Sequence, residues 1–334
     1  MIKQVVIALV LPMTLFAQSG GHSIFSFLDR SMFAGSSSLA NTAYLNPTPV
    51  GAYALQNPLL LTDTSMHQLE ISFGSLGNGV QALQSTFGFS LYGRALLFGL
   101  QNLSYGEFNA TDNWGNSLGT FSAGDMSLSI GTQLLEAYGW KMGSNIKLVS
   151  GTYESYQSWA MATDLIAMRR FRDAPDITVI LKNAGLQLTA FSSQRESLPT
   201  NLLFAIGDKL KYAPFRWTFV LDELQRFNQL GYVDFNSSSI DPITGNVTQT
   251  SQSIMNRSLR HLSGSIEFLP TQRTHFMLGY SFRRQYEMAL STRRTSGGFT
   301  LGTGLYFDKF TLHYANELRN IAGRMNTISL GINI

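Results

Sequence analysis

The residues of this chain best equipped for chemistry are three histidines, His261, His275 and His313. Strand parity puts them on one face with Glu70, Asp222, Glu267, Arg216 and Arg283. Imidazole beside carboxylates is the raw material of a metal site or of general acid–base catalysis. The same set also describes a polar lining in which opposite charges pair across an enclosed space, and the surrounding sequence favours that second reading. Asp164, between Met161 and Leu165, has the parity of the same lining. No Gly-x-Ser-x-Gly elbow, His-Glu-x-x-His helix or phosphate-binding loop organises these residues into a catalytic centre. The sequence therefore assigns no catalytic residue, no cofactor, no metal ligand and no enzyme activity.

The elements that must carry these residues are strands. At residues 327–334, Ile328, Leu330, Ile332 and Ile334 alternate with Thr327, Ser329, Gly331 and Asn333. A period of two sends successive side chains to opposite faces of a sheet. The pattern recurs. Leu69, Ile71 and Phe73 oppose Gln68, Glu70 and Ser72. Met126, Leu128 and Ile130 oppose Ser127 and Ser129. Phe215, Trp217, Phe219 and Leu221 oppose Arg216 and Thr218. Phe276, Leu278, Tyr280 and Phe282 oppose His275, Ser281 and Arg283. Phe310, Leu312 and Tyr314 oppose Thr311 and His313. One face is apolar and rich in Phe, the other polar, which is inside-out for a soluble barrel and correct for one standing in lipid. The fold class is all-β: a transmembrane antiparallel barrel.

About fourteen strands are expected, an even number as closure requires. They start near residues 66, 83, 94, 119, 143, 157, 176, 199, 214, 258, 274, 297, 309 and 324. Short turns follow the even strands and long connections the odd ones, at 105–118, 225–257 and 287–296, which is the asymmetry of periplasmic and extracellular ends. Residues 135–143 make a long periplasmic turn for this rule, and 176–190 leaves open a split into two strands. On such a wall, an arginine at outward Leu330 should impair assembly more than one at inward Ser329.

Residues 1–17 read as a signal peptide, with Lys3 ahead of an apolar stretch at 5–11 and Ala17 before Gln18. That apolar stretch is too short to span a bilayer as a helix. Residues 18–65 are rich in Gly, Ser and Asn, with turn markers at Asn46-Pro47 and Asn57-Pro58. They read as an N-terminal arm or plug, and 66–334 as the barrel. Charged residues make up 13% of the chain and the net charge is +3, with no basic cluster for nucleic acid. The chain has no cysteine, so lipid anchoring through a thiol and disulfide bonding are both excluded. The place expected is the outer membrane, as an integral protein.

Contact with a partner falls to the longer connections. Tyr232 and Phe235 stand in the polar 225–257 stretch, and Trp114 in the 105–118 stretch. Exposed aromatic residues in long loops are of the kind that anchor interfaces.

Several segments together resemble the PorQ family of type IX secretion barrels, FadL-like outer-membrane proteins of Bacteroidetes. They are Gly20-Gly21 with Phe25, Phe27 and Leu28; Gln56-Asn57-Pro58-Leu59-Leu60; Ser104-Tyr105-Gly106-Glu107-Phe108 with Asp112, Gly115, Gly119-Thr120-Phe121-Ser122-Ala123 and Asp125; Ala213-Pro214-Phe215-Arg216 with Leu224-Gln225-Arg226; Arg260-His261; Gly279-Tyr280 with Arg283-Arg284; and Ala322-Gly323. The order and spacing carry the likeness across nearly the whole mature chain. It departs at Arg30-Ser31-Met32-Phe33 and Gly35-Ser36-Ser37, where the family tends to have Ser-Ala-Arg and a pair of glycines. The resemblance implies a non-enzymatic component of the secretion system. Such a protein holds a PorZ-like surface protein within an attachment complex that includes PorU and PorV and joins cargo to anionic lipopolysaccharide. Outer-membrane lipid or lipopolysaccharide and these proteins would be the partners, with no nucleic acid. The competing class is a FadL-like transporter of hydrophobic small molecules.

Overall fold

The computed structural model describes residues 23–77, 79–227, 238–240, 247–249, 254–287, 297–318 and 323–334. In chain order the strands are β1 (Gln68–Gly77), β2 (Val80–Leu91), β3 (Arg94–Thr111), β4 (Ser117–Ala137), β5 (Trp140–Tyr153), β6 (Tyr156–Arg169), β7 (Asp176–Thr189) and β8 (Asn201–Lys209). They continue with β9 (Phe215–Leu221), β10 (Ser238–Ile240), β11 (Val247–Gln249), β12 (Leu262–Phe268), β13 (Thr274–Ser281), β14 (Phe299–Tyr306), β15 (Phe310–Leu318) and β16 (Arg324–Asn333). Fourteen of them form one closed antiparallel barrel, while β10 and β11 form a separate two-stranded sheet. Closure joins β1 to β16, with Ile71 opposite Leu330 and Phe73 opposite Ile328. No edge is left in the wall, as the absence of water in lipid demands.

The facing follows the alternation. Outward Ile71, Phe73, Phe276, Ile328 and Leu330 are exposed, while Ser72, His313, Thr327 and Ser329 are buried. No helix among the described residues is long and apolar enough to cross a membrane; this wall crosses with strands. The first and last strand residues of the barrel, Gln68 and Asn333, lie at the end that carries the tight turns, such as Tyr92-Gly93, Tyr138-Gly139 and 307–309. The opposite end carries the long connections, and by the outer-membrane rule it faces the cell exterior.

Local structure corrects several sequence expectations. Residues 135–143 are not a long turn. The strands run on to Ala137 and Trp140, around a two-residue turn at Tyr138 and Gly139 with φ of 54° and 76°. Positive φ at both positions matches the twist of a tight hairpin. A bulge between Gln133 and Leu135 slips the parity, which hid the strand from the alternation. Residues 105–118 are likewise mostly strand, with only 112–116 turning. Their alternation is faint because both faces meet solvent. Strand β7 does not split at 176–190; Asn183 at φ 54° makes a bulge within it. Residue 258 lies in helix α2 (Ile254–Arg260), so the next strand begins at Leu262. Phe282 is not a strand residue, because it opens helix α3 (Phe282–Glu287).

The interior is filled by chain. Residues 26–65 wind through it as short 3-10 turns and one helical turn, α1 (Ala34–Ser38). The segment is apolar where it meets β6–β9: Phe33, Leu39, Tyr44 and Tyr53 form one core with Ile166, Met168, Ile180, Leu203 and Val220 of the wall. The inner face is therefore not uniformly polar. On this side of the barrel several inward positions are aliphatic, interspersed with polar ones such as Asp164 and Lys182, since the plug and not water is their neighbour.

Candidate functional site

The candidate site is the contact between plug and wall, with the rim above it. Charged side chains in the lumen are desolvated, so each needs a partner. On β5–β7, the Lys147 ammonium lies 2.7 Å from the Asp164 carboxylate. It also donates to the Asn183 amide oxygen at 2.8 Å, and the Asn183 backbone N–H donates to Asp164 at 2.8 Å. The left-handed bulge at Asn183 is what turns this N–H inward. The Asn183 side chain then donates to the Asp29 carboxylate, and Lys182 donates to the Asp29 carbonyl, both groups belonging to the plug.

Farther round the same wall, Arg216 of β9 lies 2.9 Å from Glu267 of β12. Asn46 of the plug closes this pair, its amide donating to Glu267 and its oxygen accepting from Arg216, both at 2.8 Å. Two of the three histidines lie nearby. His275 stacks at a tilt on Tyr306, with ring centroids 4.3 Å apart, and His313 Nε2 is 3.0 Å from the Tyr306 hydroxyl. Phe33 of the plug meets His313 edge-on. His261 stands apart, with Nδ1 2.7 Å from the Asp222 carbonyl and its ring stacked on Phe227. The shared parity of the three histidines thus does not gather them at one point. Among the described residues, no three His, Asp or Glu side chains are placed to hold a metal ion.

A cavity of about 50 Å³ opens between plug and wall toward the long-loop end, with Asp29, Arg30, Asn41, Asp222, Arg283 and Arg284 in its lining. Arg283 reaches Asp222 at 3.4 Å and Glu223 at 3.3 Å. Both carboxylates follow the end of β9 in the connection above it. Burial raises Asp222 above the ordinary carboxylate range, and Arg283 opposes the shift. Burial also pushes Glu223 up to about 7, again against the pull of Arg283.

The inward positions are packed, and this corrects the expectation for Ser329. Its hydroxyl accepts the Ala34 N–H of the plug at 2.9 Å and donates to Ser72 at 2.7 Å. No solvated lumen waits there to take up an arginine. Of the three aromatic residues expected to meet a partner, Trp114 is 86% exposed at the tip of the β3–β4 hairpin. Tyr232 and Phe235 lie outside the described residues. Sequence reasoning missed Lys147, Lys182 and Asn183 on the wall and Asp29 and Asn46 in the plug. The inward parity of Lys147 between Ile146 and Leu148 was a usable signal; no periodicity marks Asp29 or Asn46.

No protein-family model matches the chain. No curated protein matches it either. Solved structures do. The Ralstonia pickettii toluene transporter TbuX superposes with a TM-score of 0.52 at 9% identity, covering 90% of this chain and 98% of that one. A Pseudomonas aeruginosa FadL homologue gives 0.50 at 10%, covering 94% and 100%. A deltaS2 mutant of the monoaromatic hydrocarbon channel TodX gives 0.50 at 12%, covering 92% and 100%. At such identities the likeness speaks of fold alone. This chain is an integral outer-membrane β-barrel of fourteen strands with a FadL-like fold.

Proposed function

We propose that this barrel is a non-enzymatic, non-conducting anchor: an outer-membrane component of the type IX secretion system. It would hold a PorZ-like surface protein, with PorU and PorV, in the complex that attaches cargo to anionic lipopolysaccharide. The observation that carries the reading is the filled lumen. Residues 26–65 occupy it, and Asp29 and Asn46 tie them into two separate buried polar networks of the wall. A cavity of about 50 Å³ suits water-sized occupants and not an aromatic solute. The likeness of segments from Gly20 to Gly323 to that family supports the same reading.

A second reading is passage of hydrophobic small molecules. The comparisons with solved structures favour it over the first, because the superposed proteins include a toluene transporter and a FadL homologue. One feature of this chain also favours it. Displacing the plug would uncover the aliphatic inner face of Ile166, Met168, Ile180, Leu203 and Val220.

One pair of measurements separates the two. The protein is solubilised from its native outer membrane and sized by native electrophoresis, and toluene and long-chain fatty-acid uptake are measured in cells with and without it. The anchor reading expects a complex with PorZ-like, PorU-like and PorV-like proteins and unchanged uptake. A lone barrel whose deletion abolishes uptake replaces the anchor with the transporter.

A further inference from the structure

The β3–β4 hairpin outgrows the barrel. On one side, pairing of β2 with β3 ends at Ser104, and the Gly79 turn reaches only as far as Gly106. On the other, pairing of β4 with β5 ends at Ala123, and the Glu154 N–H closes the sheet on the Ser122 carbonyl at 3.2 Å. Beyond these points β3 and β4 continue to pair, from Glu107 opposite Ser122 to Thr111 opposite Ser117. Five to six residues per strand give a free two-stranded ribbon of roughly 15–20 Å. Among the described residues nothing pairs with either of its outer edges.

The root of this ribbon is rigid. Tyr105 and Tyr153 both donate to the Asp125 carboxylate, at 2.8 and 3.0 Å. Tyr153 packs edge-on against Phe191, which meets Phe25 of the plug. The shaft is stiffened by Phe108 stacked on Phe121, with centroids 5.4 Å apart. A held strand edge is a template for one more strand.

The two edges differ. Strand β4 carries an extra residue at Leu118 and a glycine at φ 111° at Gly119, a bulge of the kind that blunts an edge. Strand β3 runs without a break from Glu107 to Ala110. The Ser122 carbonyl bonds outward to Glu154, so Ser122 and its partner Glu107 turn their peptide groups away from each other. Two residues on, Asn109 does the same. Glu107 and Asn109 therefore turn their N–H and C=O groups outward on the β3 edge, where no strand among the described residues pairs with them.

We infer that the β3 edge of this ribbon receives an extended strand from a partner protein at the cell surface, by sheet extension, with Trp114 as an aromatic anchor at the tip. The ribbon selects a protein over lipopolysaccharide. It carries Glu107 and Asp112, and no Lys or Arg occurs from Ala95 to Trp140. An acidic arm repels an anionic glycan and suits a strand that carries Lys or Arg. The inference deepens the anchor reading and rests on it.

Amide exchange at Glu107 and Asn109 tests the inference in three preparations of the full-length protein: native outer-membrane vesicles, phospholipid vesicles, and phospholipid vesicles containing lipopolysaccharide. Exchange at least tenfold slower in native membranes only is the expected result. Equal exchange in all three overturns the inference, as does protection in phospholipid alone, which marks a second copy of this chain, or with lipopolysaccharide alone, which marks the glycan. Native electrophoresis then compares wild type with Asn109→Pro, which removes an outward donor without breaking the β3–β4 ladder, and with excision of residues 107–121. Heat-modified gel migration reports barrel folding in both. Loss of the wild-type complex in both variants supports the edge as the docking site. A complex retained by the excised, folded variant sinks the edge and leaves the anchor reading standing; no complex in wild type sinks both.

Discussion

At the scale of single residues, this protein is decided by where its charges are buried. Lys147 is enclosed with Asp164 and has no water to fall back on. Removing one partner of such a pair costs roughly 3–5 kcal/mol, since the other charge stays buried alone. Lys147→Met should lower the unfolding free energy measured by urea titration of the folded barrel by that amount, and Asp164→Asn in the same chain should recover most of the loss. No recovery would mean that packing, not charge, is what Lys147 supplies. Glu223 gives the pH-dependent case. Its folded pKa, about 7, is raised above the ordinary 4.5 by burial. The folded state therefore holds a proton that the unfolded state has released between these values, and stability falls as pH rises from 4.5 to 7. In thermal melts across this window, the decline should be shallower in Glu223→Gln than in wild type. Parallel curves would remove Glu223 from the account.

At the scale of elements, plug and wall are fitted to each other. Glycine at Gly302 of β14 lets α1 lie directly against the strand, since a methyl group there would overlap the Ser38 side chain. Gly302→Val should leave the barrel closed and force α1 off its seat, read as faster protease cleavage within residues 30–45. Unchanged cleavage would show that the plug adapts. Strand β16 shows the same division across one peptide bond. Leu330 faces lipid, where an arginine near the midplane costs about 2–4 kcal/mol. Ser329 faces the plug through Ala34. Both Leu330→Arg and Ser329→Arg should lose yield, but by different routes: Leu330→Arg by failing to insert, Ser329→Arg by inserting with an unseated, protease-sensitive plug. A protected plug in inserted Ser329→Arg would contradict this packing.

At the scale of the whole molecule, the barrel is a wall around its own N-terminal chain. Excising residues 24–61 should turn a silent protein into an open pore in planar bilayers; equal currents from both forms would mean the plug does not seal the lumen. The sequence by itself determined the wall. Alternation such as Ile328-Ser329-Leu330 reports which side of a strand meets lipid, because that choice is made residue by residue with a fixed period. Closure of β1 on β16 leaves that wall without an edge in lipid. Faint alternation hid the strand ends at 105–118 and a bulge hid those at 135–143, since there solvent or a local slip replaces the lipid contrast. The sequence also supplied inward charges, but not their partners. Lys182 meets the Asp29 carbonyl across 153 positions of chain, and Arg216 meets Asn46 across 170. Pairing at such separations has no period to read; it exists only once the barrel has closed and the plug has filled it. The tertiary structure alone decided that the lumen is occupied, that its histidines do not converge, and that one hairpin carries above the rim an edge left unpaired among the described residues.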